Sequence, residues 1–141
     1  MSIDSTASGA DASLLFQALQ LGELKLANRI VMAPMTRNRA DAEGVPGATM
    51  VEYYAQRADC GLIVAEGTWP SLDGQAYCRQ PGIATAAQIA GWRVVTDAVH
   101  ARGGCVVLQV MHSGRIGSRH VKGEAAQTVS SSAIRANGEL F

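Results

Sequence analysis

Polar side chains interrupt three otherwise apolar runs of this sequence, at positions where side chains could hold a ligand. Thr36 follows the run 30–33, Glu66 follows the run 61–65 and is itself followed by Gly67, and Gln109 lies inside the run 105–111. A carboxamide in a buried strand needs hydrogen-bond partners or costs about 1–3 kcal/mol. Gln109 therefore predicts either a polar ligand or a backbone partner, and Glu66 could serve as a general base by position alone.

The three apolar runs alternate with helical patterns. Residues 50–58 show a helical apolar face after a predicted capping box of Thr49 and Glu52, and Thr85 with Gln88 predicts a second box. Strands alternating with helices indicate right-handed crossovers and a parallel sheet. The strand starts are roughly 30 to 45 residues apart, which fits units of a (β/α)8 barrel with one enlarged loop at 68–83.

A doubly wound α/β sheet would give the same alternation. No GxGxxG opens a helix and no GxxxxGK[ST] occurs, which argues against a nucleotide-binding version of that fold. Twelve basic and twelve acidic residues give zero net charge without a long run of either sign, so no nucleic-acid partner is indicated. No apolar stretch approaches the ~20 residues of a membrane span.

Cysteine and histidine usage sets the expected compartment and metal content. The three cysteines have no CxxC spacing, which favours a reducing, cytoplasmic setting. No histidine has metal-ligand spacing, so no metal site is expected. Residues 1–13 are small and polar and predict a flexible leader, which leaves 14–141 as the ordered part.

Three segments in this order and spacing resemble the old yellow enzyme family. They are Asn28-Arg29-Ile30-Val31-Met32-Ala33-Pro34-Met35-Thr36-Arg37, then Tyr53-Tyr54-Ala55-Gln56-Arg57-Ala58 with Gly61-Leu62-Ile63-Val64-Ala65-Glu66-Gly67-Thr68, and Leu108-Gln109-Val110-Met111-His112-Ser113-Gly114-Arg115-Ile116. The resemblance runs from about Leu14 to Phe141 and covers about the first three βα units of the family's (β/α)8 TIM barrel. It implies non-covalent FMN, NAD(P)H as co-substrate, and reduction of the C=C bond of activated alkenes such as enones, enals and nitroalkenes.

The resemblance also implies a role for each candidate residue. The cofactor-binding candidates are Ala33, Pro34, Met35, Thr36, Gly67 and Gln109. Among them, the Gln109 amide matches the donor–acceptor edge of the flavin pyrimidine ring, and the Thr36 hydroxyl can reach the O4 side. Tyr77 and Met111 are expected in the substrate pocket, where many members have Trp at the position of Met111. The alternatives are a strand-end Thr36, a Gln109 satisfied by neighbouring backbone, an exposed loop Tyr77 and a core Met111.

Three strands cannot close a barrel, and an open parallel sheet leaves edges that must be covered. We therefore expect the C-terminal part of the barrel as a partner, as a covalent remainder or as a second chain. The family's substrate-clamping His/Asn pair and proton-donor Tyr would lie beyond residue 141. Two other interpretations stay open: a truncated, non-catalytic fragment that self-associates through its sheet edges, and a related flavin barrel such as a dienoyl-CoA or xenobiotic reductase.

Overall fold

The computed structural model describes residues 12–123 and 126–138. The helices and strands are β1 (Leu19–Leu21), β2 (Leu24–Leu26), β3 (Val31–Met32), α1 (Ala48–Ala55), β4 (Leu62–Thr68), α2 (Ala86–His100), β5 (Val106–Val110) and α3 (Arg119–Lys122). The predicted leader, 1–13, lies outside the described residues except for positions 12 and 13, where a 3₁₀ helix (Ala12–Phe16) begins. Within the described ranges, no helix is long and apolar enough to cross a membrane.

A three-stranded parallel sheet in the order β3-β4-β5 forms the centre of the fold. The alternation of strands and helices predicts that the sheet is parallel. Val31 pairs with Leu62, and Ile63 pairs with Val106. On the outer strands, Val31 is 51% exposed and Val110 is 61% exposed. Each outer strand has one neighbouring strand in the described part of the sheet.

One face of the sheet is covered by α1 and α2. Tyr54 of α1 and Trp92 of α2 lie with ring centroids 6.0 Å apart and pack with Ile63 of β4 in one buried cluster. This confirms the apolar face predicted for α1. In α2, Trp92, Val95 and Val99 are buried, whereas Ile89 is 46% exposed.

The two helices begin differently. Thr85 forms the predicted capping box, since its hydroxyl accepts from the Gln88 amide at 3.2 Å and the Gln88 Oε1 accepts from the Thr85 amide at 3.1 Å. The predicted box at Thr49 is wrong, because α1 begins earlier, with Gly47 as an N-cap that makes no side-chain hydrogen bond. Thr49 therefore already lies inside the first turn, where its hydroxyl cannot cap the helix.

The enlarged loop between β4 and α2 is ordered by its own contacts. It contains a 3₁₀ turn (Leu72–Gly74) and returns beside the end of β4, where Trp69 bridges to Gly82. The Trp69 indole N–H donates to the carbonyl of Gln80 at 2.9 Å. The loop is thus held against the carboxyl end of the sheet, where the sequence places its candidate site.

Candidate functional site

The carboxyl ends of β4 and β5 meet around Gly67. A β-carbon added at Gly67 would lie 3.0 Å from the Met111 Sδ and 3.3 Å from the Gln109 Oε1. Both values are tighter than ordinary van der Waals contact, so the missing side chain is what admits its two neighbours. The structure therefore brings together three of the predicted residues: the cofactor-binding candidates Gly67 and Gln109, and the substrate-pocket candidate Met111.

The Gln109 side chain lies on the sheet face opposite the helices. Leu108 packs against the helix-covered core, and successive strand residues point to opposite faces. Gln109 is exposed, contrary to the expectation of a buried carboxamide, because nothing in the described part of the chain covers this face. Across residues 12–123 and 126–138 its carboxamide makes no hydrogen bond, so the alternative of a backbone-satisfied amide is not seen.

The segment after β3 carries the other four cofactor-binding candidates. Ala33 and Met35 are exposed, whereas Pro34 and Thr36 are half-buried. The segment is fixed at its far end, where the Arg37 amide donates to the Glu66 Oε1 at 3.0 Å. Thr36 therefore directly precedes a residue that is bonded to β4, and its hydroxyl makes no hydrogen bond with the described residues.

Glu66 is buried in the middle of this arrangement at 1% exposure. Its second carboxyl oxygen accepts from the Tyr54 hydroxyl at 3.0 Å. Burial raises the pKa of Glu66, while the hydrogen bonds from Arg37 and Tyr54 oppose that shift. Burial likewise raises the pKa of Tyr54 far above its ordinary value. Because both oxygens of Glu66 are engaged inside the protein, the general-base interpretation loses its geometric basis.

Tyr77 is 45% exposed and lies in the enlarged loop. Its amide and that of Ala76 donate to the Oε1 of Gln80 at 3.3 and 2.8 Å, and the Gln80 Nε2 donates to the Gly67 carbonyl at 2.7 Å. Tyr77 is therefore tied to the strand end through its backbone, although its ring makes no ring contact with any described residue. Sequence reasoning missed Gln80, which has no distinguishing motif.

The chain after β5 packs against the enlarged loop, where the Ser113 amide donates to the Gly74 carbonyl at 3.0 Å. The His112 Nδ1 accepts from the Gly114 amide at 2.9 Å, which gives this histidine a structural role. Lys122 is buried, its Nζ donates to the Asp73 carbonyl at 2.6 Å, and burial lowers its pKa.

An open groove of about 1260 Å³ is lined by residues after β5, among them Arg115, Arg119 and Arg135, and by none of the predicted site residues. Over the described ranges, no group of three potential metal ligands occurs.

Comparison with known proteins gives consistent matches. The model of the NADH:flavin oxidoreductase / NADH oxidase family matches residues 14–139. The NADP-dependent oxidoreductase lnbE of Aspergillus flavus is 45% identical over 125 residues, which are 86% of this chain and 33% of that protein. The 12-oxophytodienoate reductase 7 of Oryza sativa subsp. japonica is 42% identical, over 83% of this chain and 30% of its own.

Solved structures agree with the sequence matches. Morphinone reductase superposes with a TM-score of 0.83 at 48% identity, covering 88% of this chain and 33% of its own. The old yellow enzyme homologue from Zymomonas mobilis gives 0.83 at 44% identity, with 88% and 34% covered. These neighbours are TIM barrels, so the described sheet and helices form part of a (β/α)8 barrel.

The chain belongs to the NADH:flavin oxidoreductase / NADH oxidase family, in the group that contains the old yellow enzymes. It spans about a third of the length of the relatives that it matches. The resemblance expected from the three sequence segments is confirmed, as is the partial barrel.

Proposed function

We propose that this chain provides one wall of the FMN site of an NAD(P)H-dependent ene-reductase. The observation that carries the proposal is the Gln109 carboxamide, which lies beside the bare backbone of Gly67 and has no hydrogen-bond partner among the described residues. Its free donor–acceptor pair lies at the carboxyl end of barrel strands, where a TIM barrel builds its site.

The residues present fit a flavin. The Gln109 amide can pair with the N3–H and a neighbouring carbonyl of the pyrimidine ring, and the Thr36 hydroxyl can donate toward O4. Gly67 leaves room for Gln109 and Met111 at the strand end, and Ala33, Pro34 and Met35 offer an apolar edge without charge. When bound, FMN supplies the hydride chemistry that links oxidation of NAD(P)H to reduction of an activated C=C bond.

The substrate side is proposed for Met111 and Tyr77. Met111 lies against Gly67, and a flexible thioether at that position makes an adaptable pocket wall. Tyr77 is held near the same strand end by Gln80. A Leishmania infantum protein that bears the name "Probable flavin mononucleotide-dependent alkene reductase" is 36% identical over 94% of this chain, which supports activated alkenes as the substrate class. The cytoplasm is the proposed compartment, supported by three free cysteines.

The remaining strands of a barrel are the proposed partner, in the same polypeptide or in a second one. β3 and β5 each have one neighbouring strand in the described sheet, so each has an edge at which a further strand could pair. The same edges favour the second candidate function, a non-catalytic protein that self-associates. One relative at 43% identity, from Epichloe festucae var. lolii, is itself named a probable inactive reductase.

A chimeric barrel tests the proposal. Residues 14–139 of this chain would replace the matching third of morphinone reductase, and the FMN content and NADH-dependent alkene reduction would be measured. We expect a yellow protein that is active. In it, Gln109→Leu weakens FMN binding about ten-fold, because two hydrogen bonds of about 0.5–1 kcal/mol each are lost. Gln56→Leu, at an exposed glutamine on the helical side, is the matched control. A folded but colourless chimera would contradict the proposal.

A further inference from the structure

One buried carboxyl group joins three elements next to the proposed flavin wall. Glu66 of β4 accepts from the Tyr54 hydroxyl of α1 at 3.0 Å and from the Arg37 amide of the segment after β3 at 3.0 Å. The Tyr54 oxygen in turn accepts from the Glu66 amide at 2.9 Å. Tyr54 and Glu66 are thus joined by two hydrogen bonds, and the other carboxyl oxygen of Glu66 is occupied by the Arg37 amide.

The tyrosine side of this pair has little freedom to move. Tyr54 is fully buried, and its ring lies edge-on to Tyr53 at 5.1 Å between centroids and 6.0 Å from Trp92. Aromatic packing of this kind fixes the ring and therefore the hydroxyl. Since Glu66 is held at both oxygens, the position of the Arg37 amide follows from the packing of α1.

The segment beyond Arg37 contains a locally costly conformation. Asn38 has a positive φ of 55°, and its buried Oδ1 has no hydrogen-bond partner. A backbone in such a conformation persists only where contacts with the rest of the structure hold it in place. The hydrogen bond from Arg37 to Glu66 is the one long-range contact that the described structure gives to the Arg37 amide.

We propose that Tyr54 and Glu66 are positioning residues for Thr36. One peptide unit, with about 3.8 Å between successive Cα atoms, separates Thr36 from Arg37, so a displaced Arg37 amide displaces the threonine hydroxyl. The pair would set the distance from that hydroxyl to the flavin and hence its influence on the reduction potential. This second consequence rests on the proposed function, whereas the ordering of residues 36–38 does not.

The test compares Tyr54→Phe with Tyr53→Phe in the whole chain. Tyr53 is the matched control, because its hydroxyl makes no hydrogen bond among the described residues and its ring, which phenylalanine keeps, carries the contacts with Arg37 and Arg57. Amide hydrogen exchange is measured without flavin and normalised to Val95 and Val99 of α2, which report global opening. We expect Tyr54→Phe to increase the normalised exchange rate of the Arg37 amide about ten-fold, which corresponds to the loss of about 1.4 kcal/mol of hydrogen bonding. Tyr53→Phe should leave that rate unchanged.

The reduction potential of FMN bound to the chimeric barrel provides the second measurement. Tyr54→Phe is expected to shift that potential in the same direction as Thr36→Val, and the double variant is expected to shift it no further. Equal normalised exchange in the two tyrosine variants overturns the proposal, and so do additive potential shifts. If the chimeric barrel with the wild-type sequence binds no FMN, the proposed function fails, and the exchange result alone decides whether the pair orders residues 36–38.

Discussion

Replacing Gln80 by leucine removes the side chain that connects the enlarged loop to the end of β4. Gln80 is fully buried, and leucine has a similar volume, so no large cavity forms. Three groups lose their partner: the amides of Ala76 and Tyr77, and the carbonyl of Gly67. The change therefore isolates the hydrogen bonds from the packing.

The magnitude follows from the burial of those three groups. An unsatisfied buried polar group costs about 1–3 kcal/mol, and the two amides lie in a partly buried region where water can reach them. We therefore expect Gln80→Leu to lower the free energy of unfolding by about 3 kcal/mol, most of it from the Gly67 carbonyl. For a chain of this size, that corresponds to a fall in Tm of about 10 °C.

Thermal unfolding followed by circular dichroism measures the effect. Gln56→Leu is the matched control, because Gln56 is exposed and its single side-chain hydrogen bond joins it to Glu52 on the surface. The control is expected to change the unfolding free energy by less than about 0.5 kcal/mol. Equal Tm values for the Gln80 variant and the control would refute the role assigned to Gln80.

Three further changes give distinct results. Burial raises the folded-state pKa of Glu66 above its ordinary value of 4.5, so ionising Glu66 at higher pH destabilises the folded state. In urea denaturation, the unfolding free energy of the wild type should therefore fall relative to that of Glu66→Gln as the pH rises past 4.5, and a constant difference would contradict this. Gly104→Ala places a β-carbon 2.8 Å from the Ala58 carbonyl oxygen and should cost about 1–3 kcal/mol in thermal unfolding, and an unchanged Tm would count against it. Val110→Lys should reduce self-association in analytical ultracentrifugation, and unaltered sedimentation would exclude that strand edge as the contact.

The parallel sheet could be predicted, because its three apolar runs are separated by helical patterns. The meeting of Gly67 and Gln109 could also be expected, since both lie where neighbouring parallel strands end. The hairpin of β1 and β2 was missed, although Leu19 to Leu26 alternate around a turn at Gly22, which has a positive φ of 57°. That pattern is a recognised hairpin signal.

Other features depended on tertiary structure. An apolar run does not reveal which sheet face is covered, so the exposure of Gln109 and of Val110 could not be anticipated. The roles of Gln80 and of Tyr54 arise from contacts with residues 13 and 12 positions away, respectively, and their sequence surroundings carry no motif. The predicted capping box at Thr49 was wrong for a related reason. The first residue of α1 depends on how the preceding loop leads into the helix, which the local sequence does not show.

The most direct test is to titrate the flavin-free, ¹⁵N-labelled chimeric barrel with FMN and follow its amide and side-chain NMR signals. We expect the amides of Thr36 and Gly67 and the side-chain amide of Gln109 to shift together along one binding curve. Shifts confined to the groove of Arg115 and Arg135, or no shifts at the three strand ends, would contradict it.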